Sequence, residues 1–194
     1  PGPPFRLASG WRDARAPLLG EHTAEVVREA GSLTATTSSP PPELDRERSQ
    51  PANPQRPLEG VRVLDLTHIW AGPRATKVLS DYGAEVIKVE SRSHTDGTRG
   101  YARYLADSAA GRIGSEHDHN RRGQFEQLHR GQRSITLDLR SLAGARAFKE
   151  LVTVSDVVIA NFAYGVLARL GIAWPDLEPV NPRLVVLSMT AFGD

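Results

Sequence analysis

The chain has 194 residues, 39% of them hydrophobic and 24% charged, with a formal net charge of +1, and these values predict a soluble globular protein with sequence for one domain. Its 24 basic and 23 acidic residues nearly balance without a long basic run, which excludes a nucleic-acid specialist. There is no cysteine, which excludes disulfides and cysteine-ligated metals. No apolar run approaches the roughly 20 residues of a membrane span. We therefore expect a cytoplasmic protein with no nucleic-acid or membrane partner.

The first part of the chain predicts a short helix followed by a linker. A Pro-rich lead precedes APLLGEHTAEVVREAG, residues 16–31, which ends in an amphipathic stretch. Residues 32–57 hold six of the 14 prolines and little to bury, so we expect a flexible linker with a root-mean-square reach of roughly 25–30 Å. Because the chain begins with Pro1 and its only methionine is Met189, we expect a piece of a longer protein.

From residue 58 the sequence alternates between strand and helix signals. Apolar, partly β-branched runs predict strands at 61–66, 85–90, 134–139, 157–162 and 184–190. Helices are predicted at 74–82, 142–154, 166–170 and 174–177, with Ser141 as an N-cap and Gly83 and Gly171 as left-handed stops. Residues 91–132 predict mostly loop, with room for a short helix near 101–110. Continuous apolar strands are typical of strands buried on both faces, so the sequence predicts an α/β fold with a Rossmann-like, doubly wound, mainly parallel sheet.

In such a sheet, ligands bind beyond the carboxyl ends of the strands, which directs attention to the loop at residues 67–73. Glu90 lies 18 residues after Gly72, near the spacing of a ribose-binding acid in a dinucleotide fold. The loop reads THIWAGP, however, and has one glycine instead of G-x-G-x-x-G, so pyrophosphate could not approach its backbone closely. A dinucleotide-dependent oxidoreductase is therefore only a remote alternative.

Three of the six histidines have ordinary structural interpretations. His117, Asp118 and His119 look like a metal cluster but have no third ligand at helical spacing, so we predict a solvated loop and no metal site. His68 is interpreted as a turn residue, and no proton-transfer role is assigned to it.

Four blocks of the chain, in order, resemble the class III coenzyme A transferases of the CaiB/BaiF type. They are PLEGVRVLDLTHIWAGPRATKVLSDYGAEVIKVE, HRGQRSITLDLRS, DVVIANFAYGVLARLG and NPRLVVLSMTAFGD, and together they span residues 58–194. The resemblance implies a Rossmann-like large domain that binds coenzyme A (CoA), with acyl-CoA and a carboxylic acid acceptor as substrates and no permanently bound cofactor. It also implies an interlinked homodimer, or an intrachain pseudo-dimer in the full protein.

The resemblance further implies a set of CoA-binding residues. Those matching positions against the thioester arm are Ile69, Trp70 and Ala71; those matching adenine and phosphate contacts are Leu137 and Arg140; and those matching further nucleotide contacts are Asn161, Phe162, Arg169 and Leu170. Without the resemblance, Leu137, Phe162 and Leu170 would be interpreted as core residues, and Arg140 and Arg169 as solvated surface. Because Trp70 stands where the formyl-CoA transferases have Gln, we expect a substrate other than oxalate or formate. Ser91 replaces an Arg found in some members, with Arg92 beside it.

The catalytic residue that the resemblance implies is an aspartate that forms an aspartyl-CoA thioester. We expect it downstream of Asp194, so this chain would supply a CoA-binding half-site with no catalytic residue and be inactive by itself. An acyl-CoA racemase of the same family and a noncatalytic CoA-binding or assembly module stay open as alternatives.

The start of the chain also resembles the family, but at its C-terminal end. A P-F-R-x-S-like strand and P-x-L-G-E-H-T precede the helix, as in a family tail. We therefore expect two copies in tandem: the tail of one at 1–31, the linker at 32–57 and the front half of the next at 58–194. Val26, Val27 and Ala30 are predicted to pack on the body formed by 58–194.

Overall fold

The computed structural model describes residues 15–36, 56–100 and 122–191. Its centre is a five-stranded sheet formed by β1 (Arg62–Asp65), β2 (Glu85–Glu90), β3 (Arg133–Thr136), β4 (Val157–Ala160) and β5 (Val185–Ser188). The strand order is β3-β2-β1-β4-β5 and every neighbouring pair is parallel. The predicted α/β fold with a doubly wound parallel sheet is confirmed.

Helices connect the strands and cover the sheet. They are α1 (Thr23–Thr36), α2 (Ala71–Asp81), α3 (Gly123–His129), α4 (Leu142–Val152), α5 (Val166–Arg169) and α6 (Trp174–Leu177), with a 3₁₀ turn at Gly97–Arg99. Ser141 caps α4 as predicted, since its hydroxyl accepts a hydrogen bond from Gly144 N at 3.0 Å. Gly83 ends α2 with φ 105°, also as predicted. None of the helices in the described ranges is long and apolar enough to cross a membrane.

Several sequence predictions differ from the structure at the level of elements. α1 continues to Thr36, five residues beyond Gly31, where the linker was predicted to begin. α3 lies inside the stretch predicted as loop, because its two buried apolar residues, Phe125 and Leu128, are too few to give a periodic signal. The strand expected near the start of the chain, most of the linker, the helix near 101–110 and the cluster at 117–119 lie outside the described residues.

β5 is not buried on both faces as its apolar sequence predicted. It lies at the edge of the sheet, and Val185 and Leu187 are 58% and 44% exposed. The described chain contains no element that covers these two side chains. The prediction failed because an apolar run reports what a strand prefers, whereas its burial depends on what packs against it.

Side chains of β1 and β2 alternate between the two faces of the sheet, because successive residues of a strand point in opposite directions. Leu64 and Ile87 belong to the main core with α4. Val63 and Val86 belong to a smaller cluster that includes Leu79 of α2. The positions that follow on this second face are Asp65, Lys88 and Glu90, which are at most 3% exposed, so charged side chains lie buried next to the loop that follows β1.

α1 docks on the body of the protein, as predicted. Val26 and Ala30 are buried in the main core, whereas Val27 is 39% exposed and does not take part in the predicted packing. Val27 follows Val26 by one residue and therefore points about 100° away around the helix. Arg133 pairs with Glu29 at 2.9 Å on the side of the helix that faces the sheet.

His22, which precedes α1, and Thr23, the first residue of α1, also bond the free edge of β3. His22 N donates to Ser134 O at 2.9 Å, and Ser134 N donates to His22 Nδ1 at 3.1 Å. Thr136 N donates to Thr23 Oγ1 at 3.0 Å. The edge strand is thus covered by this segment, which satisfies backbone groups that an open edge would expose.

Candidate functional site

The strand order reverses direction between β1 and β4, and the loops that follow these two strands therefore lie side by side. Two adjoining clefts open there. The first has a volume of about 470 Å³ and an apolar wall that includes Val89, Leu137 and Leu170. The second has a volume of about 630 Å³ and lies against residues 69–71. Both are lined by His68, His94, Phe162 and Ala163, so they form two halves of one site.

Eight of the nine predicted binding residues line these clefts. The first cleft is lined by Leu137, Arg140, Phe162 and Leu170. The second is lined by Ile69, Trp70, Ala71, Asn161 and again Phe162. Arg169 lines neither of them and is exposed on α5. Residues that are distant in the sequence are thus brought together by the parallel sheet.

The loop after β1 is fixed by side chains that bond its backbone. Asp65 Oδ1 accepts from Thr67 N at 2.7 Å and from Thr67 Oγ1 at 2.6 Å. Asn161 holds the next residue from both sides, since its Oδ1 accepts from His68 N at 2.7 Å and its Nδ2 donates to His68 O at 2.8 Å. The side chain of Asn161 therefore joins the loops after β1 and β4, and its amide is already engaged in the free protein.

Ile69 is the one non-glycine residue with positive φ in the described ranges, at 73°. This left-handed conformation is unfavourable for a β-branched residue, by about 1–3 kcal/mol. It directs a half-exposed side chain into the second cleft and across the 3₁₀ turn. A β-carbon at Gly97 would lie 2.6 Å from Ile69 Cδ1, so the close approach depends on glycine there.

The shared wall of the two clefts has a neutral histidine at its centre. The His68 ring lies 5.6 Å from the rings of both His94 and Phe162, measured between centroids. Burial and the nearby Lys88 ammonium lower the pKa of His68 to about 4. His68 is therefore uncharged near pH 7. Sequence reasoning gave neither histidine a place in the site, and the position of His68 directly after a strand was the signal that could have done so.

The rim of the first cleft carries an exposed guanidinium. Arg140 donates to Ser93 Oγ at 2.9 Å and to Asp138 Oδ1 at 3.2 Å. Hydrogen bonds from the backbone and then the side chain of Arg140 lower the pKa of Asp138. Arg140 immediately precedes Ser141, the N-cap of α4. The guanidinium and the free backbone amides of the helix N-terminus would both attract an anionic group. Arg92 is also exposed in this region.

Beneath the loop lies a cluster of buried charges. Lys88 Nζ lies 3.1 Å from Asp96 Oδ2 and 3.8 Å from Asp65 Oδ2. Burial would raise the pKa of Asp96, but His129, with Nε2 at 3.5 Å, and the Lys88 charge hold it well below its usual range. Glu90 is paired with Arg99 at 2.8 Å. The sequence signal for this cluster was the presence of Asp65, Lys88 and Glu90 within otherwise apolar strands.

Comparison with known proteins gives a consistent result. The profile of CoA-transferase family III matches residues 58–194. The acetyl-CoA:oxalate CoA-transferase of Acetobacter aceti is 38% identical over 143 residues, which is 74% of this chain and 33% of that protein. The formyl-CoA:oxalate CoA-transferase of Streptomyces coelicolor is 40% identical over 137 residues, 71% of this chain and 30% of that protein. The chain thus spans about a third of the length of these curated relatives.

Solved structures are similar over a comparable share of the chain. The crystal structure of a hypothetical protein from Mycobacterium tuberculosis superposes with a TM-score of 0.58 at 34% identity, covering 71% of this chain and 34% of that one. A CAIB/BAIF family protein from Brucella suis gives a TM-score of 0.56 at 37% identity, covering 68% of this chain and 32% of that one.

Proposed function

Because the chain belongs to CoA-transferase family III, we propose that the two adjoining clefts bind coenzyme A and that the protein moves CoA between carboxylic acids. One observation carries the proposal: eight residues expected to contact CoA, taken from three separate stretches of sequence, line one continuous site at the carboxyl ends of β1, β3 and β4. Acyl-CoA and a carboxylic acid acceptor would be the substrates.

The chemistry of each cleft suits a different part of CoA. The first has an apolar wall that includes Leu137, Phe162 and Leu170, which fits the adenine ring, and Arg140 at its rim, which fits phosphate. The second is lined by Ile69 and Trp70, whose exposed apolar surface fits the thioester arm. We propose that bound CoA runs from one cleft to the other past the shared wall. Arg169, outside both clefts, is retained as a proposed contact to the nucleotide.

The proposed reaction proceeds through an aspartyl-CoA thioester, with the attacking aspartate beyond Asp194. Two of the aspartates beside the site are unsuited to attack: Asp65 is buried and accepts three hydrogen bonds, and Asp96 is paired with Lys88. This chain would then supply the CoA-binding half of the site and be inactive by itself. An acyl-CoA racemase is the alternative within the family, and a noncatalytic CoA-binding module is the alternative outside catalysis.

The acceptor is proposed to differ from that of the named relatives. Both relatives are transferases with oxalate in their names, whereas Trp70 places a bulky half-exposed indole in the second cleft. We propose a carboxylic acid other than oxalate or formate, in keeping with an apolar contact at this position. A protein containing this chain and the remaining two thirds of the family's length should transfer CoA to such an acid faster than to oxalate.

The docking of α1 supports the proposed tandem arrangement. In that arrangement, residues 1–31 are the tail of one unit, 32–57 the linker and 58–194 the front of the next, and α1 contributes Val26 and Ala30 to the core of the body. The full protein would then be an interlinked homodimer or an intrachain pseudo-dimer located in the cytoplasm. Mass measurement of the full-length protein in solution tests whether it is a homodimer or a single-chain pseudo-dimer. Cell fractionation tests its location.

Isothermal titration calorimetry of the 194-residue chain with CoA tests the proposal. We expect saturable binding of CoA and none of NAD. Phe162→Ala and Arg140→Ala should each weaken CoA binding by about tenfold or more. The control variants Leu142→Ala and Arg146→Ala, which remove an apolar side chain and an arginine from exposed positions of α4, should leave it unchanged. Binding of NAD without CoA, or equal losses in test and control variants, would contradict the proposed function.

A further inference from the structure

Four side chains bond almost all of the backbone groups of residues 67–69, and three of them, Asp65, Lys88 and Asp96, are buried. Besides the bonds from Asp65 and Asn161, Lys88 Nζ donates to Thr67 O, and Asp96 Oδ1 accepts from Ile69 N at 3.2 Å. Four side chains, two from strands β1 and β2 and two from the loops after β2 and β4, therefore bond five consecutive backbone groups. In this stretch a ligand meets side chains, because the backbone groups are already used.

The hydrogen bond from Ile69 N to Asp96 involves the residue with the unfavourable positive φ. Asp96 lies in the segment after β2, and its Oδ1 also accepts from Thr98 N at 2.8 Å and Thr98 Oγ1 at 2.7 Å. Its other oxygen faces Lys88 Nζ at 3.1 Å and His129 Nε2 at 3.5 Å. The carboxylate thus joins the 3₁₀ turn, β2 and α3 to the amide of Ile69.

A second layer holds Asp96 itself in place. Its backbone N donates to Glu90 Oε1 at 2.8 Å. Glu90 is bonded by Arg99 Nε and Nη2 at 2.8–3.1 Å, and the Arg99 guanidinium lies 3.7 Å from the centroid of the Phe125 ring. All four residues are at most 3% exposed. These contacts fix the position of the Asp96 carboxylate. The hydrogen bond to Ile69 N therefore forms only when the loop places this amide next to the carboxylate.

We propose that Asp96, held by Lys88, is a positioning residue that keeps Ile69 in its left-handed conformation and so directs the side chains of Ile69 and Trp70 into the second cleft. The ligand part of this inference rests on the proposed binding of CoA. Asp96 itself does not contact the ligand. Its contribution to binding is that the loop needs no rearrangement when the thioester arm arrives.

Amide hydrogen exchange in the free chain tests the positioning role without any ligand. In Asp96→Ala, the amide of Ile69 loses its acceptor and should exchange about tenfold faster or more. The amide of Leu66, which donates to Ile159 O at 2.8 Å within the sheet, should keep its rate. Asp96→Asn retains an acceptor oxygen and should restore most of the protection. Unchanged exchange at Ile69, or equal acceleration at Leu66, would overturn the proposal.

A double-mutant cycle measured by CoA titration tests the consequence for binding. Asp96→Ala should weaken CoA binding by about tenfold in the otherwise wild-type chain, but by less than about twofold in the Ile69→Gly background, because glycine takes positive φ without strain. Equal losses in the two backgrounds would mean that Asp96 acts only on general stability, and would overturn the proposal. If the wild-type chain bound no CoA, the proposed function would fail, while the exchange experiment would still decide the positioning role.

Discussion

Gly72 offers a sharp test of how the site loop packs on the first turn of α2. A β-carbon built at this position would overlap the Cβ and Cγ2 atoms of Thr67 and lie 2.7 Å from its Oγ1. Thr67 is fully buried, and its hydroxyl donates to Asp65 Oδ1 at 2.6 Å. The added methyl group in Gly72→Ala therefore meets a side chain that has no free direction in which to move.

The magnitude follows from this overlap. Forcing one extra carbon into a well-packed site costs about 1–3 kcal/mol, and loss of the buried Thr67 hydrogen bond to a carboxylate adds about 1.5–3 kcal/mol if the side chain is displaced. We expect Gly72→Ala to lower the free energy of unfolding by about 2.5–6 kcal/mol, the sum of these two ranges. CoA affinity should also fall, because Thr67 belongs to the loop that lines the second cleft.

Urea unfolding followed by circular dichroism measures the effect, with Gly31→Ala as the matched control. Apart from its chain neighbours and the backbone of its own helix, no atom lies within 4 Å of a β-carbon at Gly31. Replacing an exposed helical glycine by alanine stabilises by about 0.5–1 kcal/mol. The same chemical change should thus give opposite signs at the two positions. A Gly72→Ala chain within about 0.5 kcal/mol of wild type would refute the packing of this loop.

Three further changes test other parts of the structure. Between pH 4 and 6.5 the unfolded chain binds more protons at His68 than the folded chain, so the free energy of unfolding rises with pH in this window. His68→Gln should reduce that rise by roughly 2–3 kcal/mol, measured by urea unfolding at a series of pH values. An unaltered pH profile would refute the lowered pKa of His68. Lys88→Met leaves Asp96 buried without its cation and should cost about 3–5 kcal/mol of unfolding free energy, whereas a cost near zero would refute the buried pair. Val26→Ala should cost about 2 kcal/mol and Val27→Ala less than about 0.5, measured by thermal unfolding; equal effects would contradict the docking of α1.

The sheet could be predicted because each strand and helix is indicated by the residues within and next to it. Runs such as Glu85–Glu90 predict strands from their composition alone, and the spacing of glycine and serine around them predicts where helices begin and end. Parallel pairing then follows from the alternation of strands and helices. The position of the site at the carboxyl ends of the strands follows from the same topology, which is why eight of the predicted residues lie together.

The parts that could not be predicted depend on contacts between distant residues. Nothing local in Asn161 indicates that its amide bonds the backbone of His68, since the pair is 93 residues apart in the sequence. Lys88 looked like one charged residue in a strand, but its role depends on Asp96 and on the loop above it. The positive φ of Ile69 is likewise opposite to the preference of its side chain, and its amide is bonded by Asp96, which lies 27 residues away in the sequence.

A crystal structure of this chain with CoA would show where the ligand lies in the two clefts. We predict the adenine against Leu137, Phe162 and Leu170 in the first cleft, a phosphate near Arg140, and the thioester arm along Ile69 and Trp70 in the second cleft. CoA bound elsewhere on the chain, with both clefts empty, would contradict the account.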